Sequence, residues 1–573
     1  MFRRRNFVVE FGILFSIIFS MLSVSCSSIP RSEVYGQPTI DQTSTPGEAT
    51  DLEITATQTP ETLSTPKPVG NFFLWISPSL PVVIKQGLAL PTDLKIVNIK
   101  NQSNIRIEPI QRPDSATLRL PGTNWIYVLV APFPTVKDEV KFADLKNAWA
   151  GKGNSAFDNS PLLMTQETLM VFESLWGKPA KNVVWDVGES QLLDTAWSNQ
   201  PSWAIIPFDQ LSPRWKVLAV DKMSPLDKTM DTNKYPLSVF WGFTGEPKVL
   251  DDFVEYVGNN KVEFPKTNRD PQQMTVLVMT GTTAMVRYLA LRMEEKGITY
   301  PARDVLSWLK DADITHISNE APFYDKCPPA KPLRREARFC SSPAYMELLK
   351  YVGADIIELT GNHILDWGEA PFLYTLDLYK QNGFPYFGGG KNLEEAQKPI
   401  FIEDHGNKLA FIGCNSAGPP IVWATKEKPG AAPCDIPWMS NQIKEIKKKG
   451  YIPIVTFQHF EVDDYSPNSL QRVQSLQVAD AGAVIISGSQ SHFPQGMTFV
   501  GDQFIHYGLG NMFFDQMMKL NRRGFIDHHV FYGGKYISTV LLTAMLEDYS
   551  RPRPMTPEER TALLNIVFKS SGW

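Results

Sequence analysis

The stretch Leu359-Thr-Gly-Asn-His-Ile-Leu-Asp-Trp-Gly368 closes a short strand-like run that begins at Asp355, and it places an amide, an imidazole and a carboxylate directly after that run. A short apolar run that ends in glycine and polar residues is typical of a buried strand leading into a functional loop. Phe372, Leu376 and Tyr379 follow at helical spacing, which predicts a stripe of core packing. The stretch therefore indicates an α/β fold with chemistry in the loop.

Four further strand-like runs also end in polar or glycine residues. They are Thr275 to Met279 before Thr280-Gly-Thr-Thr283, Ile314 to Ile317 before Ser318-Asn-Glu320, Ile452 to Phe457 before Gln458-His-Phe-Glu461, and Ala483 to Ile486 before Ser487-Gly-Ser-Gln-Ser-His492. Ligands gather at the carboxyl ends of strands in α/β sheets, so we expect these loops to converge on one site. Leu470, Val473 and Leu476 stand at helical spacing before the last run and predict a second core stripe.

These segments resemble the CapA-type capsule synthesis proteins, a family associated with poly-gamma-glutamate and built on a calcineurin-like metallophosphatase fold. The resemblance spans about residues 272 to 540. Besides the stretch quoted first, it rests on Gly281 with Arg287, Leu373-Tyr-Thr-Leu-Asp377, Gly383-Phe-Pro-Tyr-Phe-Gly388, Asn392-Leu-Glu-Glu-Ala396, His459 with Glu461, and Ile505-His-Tyr-Gly-Leu-Gly-Asn511 with Asp515. It implies a metallophosphatase-like α/β sandwich for residues 272–550 and a role in capsule or poly-gamma-glutamate synthesis.

The resemblance also implies a site. The matching metal ligands are Glu320, Asn362, His363, His459 and His492, and the matching catalytic or substrate-binding residues are His363, Asn362, Arg287, Asn511 and Glu461. A carboxylate, an amide and imidazoles suit Mn, Zn or Fe. His363 could instead act as general acid, with Asn362 on the metal.

Three departures from the family pattern lower the expected metal content. Thr282 stands where the family has an aspartate, and Gly488-Ser-Gln-Ser-His492 stands where the family has Gly-His-His-Pro-His. The family's Asn-Leu-Glu phrase is replaced by Ser318-Asn319-Glu320, which keeps only the carboxylate. We therefore expect one divalent metal rather than two. Two hypotheses stay open. The first is a metal-dependent hydrolase of the metallophosphoesterase-like superfamily, acting on a phosphorylated small molecule or a glutamyl polymer. The second is a catalytically silent binding or assembly protein for an anionic cell-surface polymer.

Residues 71 to 265 mix short apolar runs with helical stretches, which is a second α/β pattern. The phrases Phe142-Ala-Asp-Leu-Lys-Asn-Ala-Trp149, Trp203-Ala-Ile-Ile-Pro-Phe208 and Val217-Leu-Ala-Val-Asp221 resemble type 2 periplasmic solute-binding domains of the phosphate-binding kind. A phosphate pocket of that kind uses a turn at a helix N-terminus, and none is evident near Ser77 to Leu80. The polar segment Asn259 to Gln273 predicts the boundary, and residues 551–573 predict a C-terminal tail helix.

The N-terminal residues predict the compartment. Arg3, Arg4 and Arg5 precede the apolar run Phe7 to Leu22 and then Cys26, the order of a lipoprotein-type signal peptide over residues 1–25. Residues 26–70 are rich in Thr, Pro and Ser and predict a disordered tether. We expect an exported protein anchored through lipidated Cys26 to the outer face of the cell membrane, beside the cell-envelope machinery. Plain secretion is the alternative.

Composition limits the partners, and the cysteines predict disulfides. The 573 residues are 43% hydrophobic and 20% charged, so most of the chain can fold around a core. The formal charge is 56 − 61 = −5, which gives no basic footprint for nucleic acid. An oxidising compartment favours the sequence-local pairs Cys327 with Cys340 and Cys414 with Cys434 among three possible pairings. Free buried thiols are the alternative.

Overall fold

The computed structural model describes residues 71–115, 117–153, 159–332, 337–518 and 520–573. The predicted signal peptide, Cys26 and the predicted tether lie outside the described residues. Within the described ranges, no helix is both long enough and apolar enough to cross a membrane.

The first part of the chain builds a mixed sheet. Its strands are β1 (Phe73–Ile76), β2 (Lys95–Ile96), β3 (Ile105–Ile110), β4 (Gly122–Pro132), β5 (Glu139–Val140), β6 (Leu162–Met164), β7 (Val184–Asp186), β8 (Trp203–Pro207), β9 (Trp215–Val217), β10 (Ala219–Val220) and β11 (Ser238–Gly245). The main sheet has the order β2-β1-β3-β11-β4-β8-β6-β7, with β9 on β4, and β10 pairs with β5 separately. β1 runs parallel to β2 and β3, whereas β11 is antiparallel to both β3 and β4.

Helices cover this first sheet. They are α1 (Val82–Gly87), α2 (Phe142–Trp149), α3 (Gln166–Trp176), α4 (Glu189–Ser198) and α5 (Pro247–Asn259). The middle of β4, from Trp125 to Ala131, is almost completely buried, because this strand is covered on both faces.

The second part of the chain contributes the remaining strands. They are β12 (Met274–Thr280), β13 (Thr282–Thr283), β14 (Ile314–Asn319), β15 (Ile356–Glu358), β16 (Tyr386–Phe387), β17 (Gly389–Gly390), β18 (Ile400–Asp404), β19 (Asn407–Asn415), β20 (Gly430–Ala431), β21 (Ile452–Gln458), β22 (Ile485–Ser487), β23 (Met497–Val500), β24 (Gln503–His506), β25 (Arg523–Tyr532), β26 (Lys535–Glu547) and β27 (Arg551–Pro554).

These strands form a two-sheet sandwich. One sheet has the order β16-β15-β14-β12-β25-β26-β27 with β13 on β14, and the other has the order β18-β19-β21-β22-β24-β23. A shared core lies between them, in which Leu277 and Ile314 of the first sheet belong to one buried cluster with Phe411 and Ile454 of the second. The predicted α/β fold class is confirmed, with the sandwich following a separate α/β sheet.

Helices also flank the sandwich. They are α6 (Arg287–Lys296), α7 (Leu306–Lys310), α8 (Met346–Tyr351), α9 (Glu369–Gln381), α10 (Leu393–Gln397), α11 (Ile436–Lys448), α12 (Ser469–Ala481) and α13 (Pro557–Ser570). Local sequence fixes their starts, since Asn468 with Gln471 and Thr556 with Glu559 form capping boxes on α12 and α13. In the predicted tail, Arg551–Pro554 forms the edge strand β27, and α13 buries Leu563 and Phe568 against the sandwich core.

One predicted stripe is confirmed and the other is wrong. Phe372, Leu376 and Tyr379 of α9 are buried at 0–1% exposure. On α12, by contrast, Leu470, Val473 and Leu476 are 42%, 53% and 40% exposed. This helix instead buries polar Gln471 and Ser475 together with Val478, because the Gln471 amide donates to Gln495 Oε1 at 2.6 Å inside the protein.

The segment between the two parts of the chain is held in place. Asn268 is buried and bonds both the amide and the carbonyl of Ile126, at 2.8 and 3.0 Å. Arg269 is 2% exposed and donates to the carbonyls of Pro225 and Asp227. Met274 and Val530 of the sandwich also join the core of the first sheet, so the two parts pack together.

Candidate functional site

The loops after β14, β15 and β22 meet at one edge of the sandwich. Gly361 makes this possible, since a Cβ on it would stand 2.7 Å from Glu320 Cα, too close for any other residue. Gly488 packs in the same way, because its Cβ would stand 1.9 Å from the carbonyl oxygen of Tyr507. The loops that carry Asn362 and His492 are therefore held against their neighbours by backbone contact.

Glu320 and His492 form a buried pair at this edge. Glu320 Oε1 lies 3.3 Å from His492 Nε2, and the two side chains are 1% and 3% exposed. Burial alone would raise the pKa of Glu320, but the cationic neighbours His492, His363 and Arg287 outweigh it and lower the pKa. Burial alone would lower the pKa of His492, but Glu320, Glu461 and Asn511 raise it to about 9. The pair is therefore ionised at neutral pH.

Neighbouring side chains fix the His492 ring. Its Nδ1–H donates to Asn511 Oδ1 at 2.7 Å, and the ring lies 4.9 Å from that of Phe514. Its backbone is left-handed, with φ of 53°, a conformation that non-glycine residues adopt at a cost and often at functional sites. Glu461, whose side chain is 50% exposed, approaches the same Nε2 at 3.3 Å from the solvent side. Asn511 was predicted to contact substrate or to hold loops, and its hydrogen bond to His492 joins the loops after β22 and β24.

His363 lies on the rim of the site. Its Nδ1–H donates to Asp366 Oδ2 at 2.8 Å, its side chain is 19% exposed, and its ring packs 4.3 Å from that of Phe339. Burial lowers its pKa, but the hydrogen bond to Asp366 and the charge of Glu320 outweigh burial and raise it. A protonated imidazole beside a solvent opening can donate a proton from Nε2.

Arg287 is tied to a residue to which no role was assigned from sequence. Its guanidinium forms a bidentate pair with Asp515, whose side chain is 3% exposed and which also accepts from the Tyr288 amide at 3.0 Å. Phe339 and Phe514 sandwich the guanidinium at 4.8 and 5.0 Å. Arg287 was predicted to contact substrate or to hold loops, and this pairing joins α6 to the loop after β24.

His459 points away from the pair. Its Nε2–H donates to Gln474 Oε1 of α12 at 2.9 Å, and its ring stacks on Phe457 at 4.8 Å. Burial lowers its pKa to about 4, so the imidazole is neutral, the form that binds metals. Among the described side chains, it forms no hydrogen bond with Glu320, His363 or His492.

Several buried polar atoms at this edge have no hydrogen-bond partner in the described protein. They are Glu320 Oε2, Asn362 Oδ1 and both amide atoms of Gln490. Buried polar groups are normally paired, so the unpaired oxygens here are available to a ligand. Carboxylate and amide oxygens with one imidazole fit a single borderline or hard divalent cation. Thr282, by contrast, only donates its hydroxyl to the Ser489 carbonyl at 3.4 Å.

A second cluster of potential ligands lies elsewhere in the fold. Asp313, Asp404 and His405 are the only three ligand groups in the described ranges whose atoms all lie within 4.8 Å of one another. Of the predicted ligands, no three among Glu320, His363, His459 and His492 form so compact a group. Lys228 already contacts this second cluster, since Nζ donates to Asp313 at 2.7 Å and lies 3.2 Å from His405 Nε2. The Lys228 ammonium therefore offsets the negative charge of this second cluster.

In the first part of the chain, a carboxylate of the protein itself contacts the start of α1, next to the turn where a phosphate pocket was sought. Near Ser77 to Leu80, the two hydroxyls of Ser77 and Ser79 bond each other at 2.7 Å. The Val82 amide at the start of α1 donates to Glu167 Oε1 of α3 at 2.6 Å. This amide is thus engaged within the protein.

The two predicted disulfides are present in the structure, joining Cys327 to Cys340 and Cys414 to Cys434. The first bond closes the loop that carries Phe339, which packs on both Arg287 and His363.

Comparison with known proteins concerns mainly the second part of the chain. Residues 276–516 match the family described as bacterial capsule synthesis protein PGA_cap. The chain is 25% identical over 308 residues to the capsule biosynthesis protein CapA of Bacillus anthracis, covering 52% of this chain and 74% of that protein. It is 26% identical over 276 residues to the PGA biosynthesis protein CapA of Bacillus subtilis (strain 168), covering 48% and 72%.

Solved structures are similar to each part at low identity. The NAD nucleotidase of Haemophilus influenzae covers 52% of this chain and 56% of its own, at 11% identity and a TM-score of 0.30. An ABC-type phosphate transport receptor from Vibrio cholerae covers 34% of this chain and 100% of its own, at 12% identity and a TM-score of 0.24.

Proposed function

Since residues 276–516 of this chain belong to the bacterial capsule synthesis protein family, we propose that the protein acts in the synthesis of an anionic capsular polymer such as poly-gamma-glutamate. Two sequence relatives with this role in their names cover 52% and 48% of the chain. The polymer, or a phosphorylated small molecule on the route to it, is the substrate class.

The unpaired acceptors beside the Glu320–His492 pair carry the chemical part of the proposal. Glu320 and Asn362 would hold one divalent cation, Mn, Zn or Fe, together with His492, whose Nε2 would release its proton as the cation binds, and with His459 after its ring turns from Gln474. Such a cation acidifies a bound water and stabilises negative charge on a phosphoryl or acyl group. Asn511 keeps His492 in the tautomer whose Nε2 faces Glu320.

His363 is the proposed general acid of a hydrolysis or transfer reaction. Asp366 holds Nδ1 and raises the pKa, which leaves Nε2 as the nitrogen that can protonate a leaving oxygen or nitrogen. Glu320 adds to this by favouring the imidazolium form.

A silent binding or assembly protein is the second candidate. Two observations favour it: Thr282 offers no anionic ligand, and Asp515 already neutralises Arg287. In this case the same edge of the sandwich would bind the polymer without catalysing a reaction.

Metal analysis of the full chain tests the first proposal. After reconstitution with Mn²⁺ or Zn²⁺ and desalting, we expect about one equivalent of metal, the number that a single site holds. Glu320→Gln should lose it, and His405→Gln, the control in the second cluster, should retain it. Loss in His405→Gln with retention in Glu320→Gln would move the cation to Asp313 and Asp404. No bound metal together with metal-independent binding of poly-gamma-glutamate would favour the second candidate.

We also propose that the mature protein begins at a lipidated Cys26 on the outer face of the cell membrane. Mass spectrometry of the membrane fraction should find a diacylglyceryl cysteine at the N-terminus, and an unmodified soluble product would contradict this.

A further inference from the structure

An apolar cavity lies between the first sheet and the sandwich. It has a volume of about 380 Å³. Its walls come from both parts of the chain and include Phe133, Leu226, Trp308, Val540, Leu564 and Phe568. Pockets that bind small molecules are of this size, are mostly apolar and often lie where domains meet.

Charged groups surround the mouth of this cavity. Arg560 of α13 donates to both oxygens of Asp138 at 2.8 Å, and Lys216 contacts the same carboxylate at 2.7 Å. Two cations therefore share one acid. The Lys216 side chain is 15% exposed, and its ammonium also donates to the carbonyls of Thr135 and Val136.

A wider vestibule adjoins the apolar cavity. It measures about 1130 Å³ and shares Thr135, Asp138, Ala219 and Arg560 with the cavity wall. Lys137 and Lys222 line it as well, opposite Glu139. Across the two spaces, four cations face two acids, Asp138 and Glu139, so the mouth carries excess positive charge.

A tight turn places one of these cations at the vestibule. Asp221 and Lys222 are its two central residues, with φ of 49° and 66°, and the backbones of Val220 and Met223 bond each other on either side. Positive φ at both central residues is what a type I′ turn requires. Asp221 Oδ1 stabilises the turn by accepting from the Phe142 amide at 2.9 Å.

We propose that these two connected spaces bind a single-chain amphiphile with an anionic head group. The apolar chain fills the 380 Å³ cavity between Phe133, Val540 and Leu564, and a carboxylate or phosphate head lies in the vestibule against Lys222 and Arg560. Water alone is a poor occupant of the cavity, because ordered water needs several polar partners and these walls are mainly apolar. The site is independent of the function proposed for the sandwich edge.

Calorimetric titration of the full chain with dodecanoate, below its micelle concentration, tests this site. We expect saturable binding with a dissociation constant of about 1–100 μM, the range of a modest small-molecule site. Dodecyl phosphate tests the alternative head group, dodecanol tests the need for charge, and inorganic phosphate tests the need for the chain. We expect at least about tenfold weaker binding for the last two, equivalent to one factor of ten in the equilibrium constant.

Two variants locate the ligand. Val540→Trp fills the cavity, and Lys222→Glu reverses the charge of an exposed vestibule residue. Each should weaken dodecanoate binding at least about tenfold. Lys85→Glu, at an exposed lysine on α1, is the matched charge control and should bind like the parent.

Four outcomes would contradict the proposed amphiphile site. Absence of saturable dodecanoate binding, equal binding of dodecanol, or unchanged binding in Lys222→Glu would each overturn the proposal. Unchanged binding in a folded Val540→Trp variant would also overturn it, since the chain would then lie elsewhere.

Discussion

The carboxylate of Glu320 faces the imidazole of His492 at 3.3 Å, and both side chains are almost completely removed from solvent. They come from loops 172 residues apart, and among the described residues no other buried carboxylate contacts His492 Nε2. The charge state of each group therefore depends on the other.

Removing the carboxylate should leave the buried His492 imidazolium with only the half-exposed Glu461 as a charge partner. Glu320→Gln is expected to lower the free energy of unfolding by roughly 3 kcal/mol, as when one partner of a buried ion pair is removed. In the metal-free variant, the pKa of His492 should fall below its present value of about 9, because burial is then opposed only by Glu461 and Asn511. NMR titration of the histidine signals measures this. A His492 pKa that stays near 9 would show that Glu320 does not set it.

Asn511 should act on metal affinity through His492. Asn511→Ala removes the acceptor of the Nδ1–H bond, and loss of such a supporting group typically weakens metal binding about 10–100-fold. Competition with a metal chelator measures the change, and Asn199→Ala, at an exposed asparagine of the first sheet, is the control. Equal affinity in the two variants would argue that His492 does not bind the metal.

Acid should destabilise the protein through two histidines that are not candidate ligands. Burial lowers the pKa of His528 and of His529 from 6.5 to about 4. The unfolded state then binds more protons than the folded state between these values, so stability falls as pH decreases from 6.5 towards 4. The slope is at most about 1.4 kcal/mol per pH unit for each histidine.

Chemical unfolding at several pH values checks this acid sensitivity. The variant His528→Gln should show a shallower decline than the parent protein over the same pH range. An identical slope would contradict the assigned cause.

The two disulfides should survive purification under oxidising conditions. Non-reducing peptide mapping should find Cys327 with Cys340 and Cys414 with Cys434. Each bond closes a loop of 13 or 20 residues in sequence separation. Loops of about this length give roughly 3 kcal/mol of stabilisation in the chain-entropy description. Four free thiols, or a different pairing, would contradict the structure.

Two valines on α12 should respond very differently to truncation. Val473 is 53% exposed and Val478 is fully buried. We expect Val473→Ala to change stability by less than about 0.5 kcal/mol, and Val478→Ala to cost on the order of 1–3 kcal/mol. Urea unfolding measures both changes in stability. Equal effects would mean that a different face of the helix is buried.

The strand ends were predictable because a short apolar run that ends in polar or glycine residues is typical of a buried strand. That is why Glu320 and His492 could be expected to meet although 172 positions separate them. The buried face of α12 was not predictable from the spacing of its apolar residues. Its buried face is set by Gln471, whose amide finds a partner in Gln495, and such a pairing is invisible in a single sequence.

The partners of the site residues were equally hidden. Asp366 follows His363 by three residues, so local spacing could have indicated that pair. Asp515 lies 228 residues from Arg287, and Gln474 lies on a helix that follows His459 by a loop, so only the folded chain brings them together. Long-range packing sets the partners of these loop side chains, and a single sequence does not reveal it.

The segment around Asn268 and Arg269 has a practical consequence for anyone who wishes to dissect the molecule. A cut there would remove the hydrogen bonds that Asn268 makes to β4 and uncover the apolar walls contributed by Phe133 and Leu564. Fragments made separately would each show an oily surface to water and aggregate, whereas fragments produced in the same cell could find each other and reassemble.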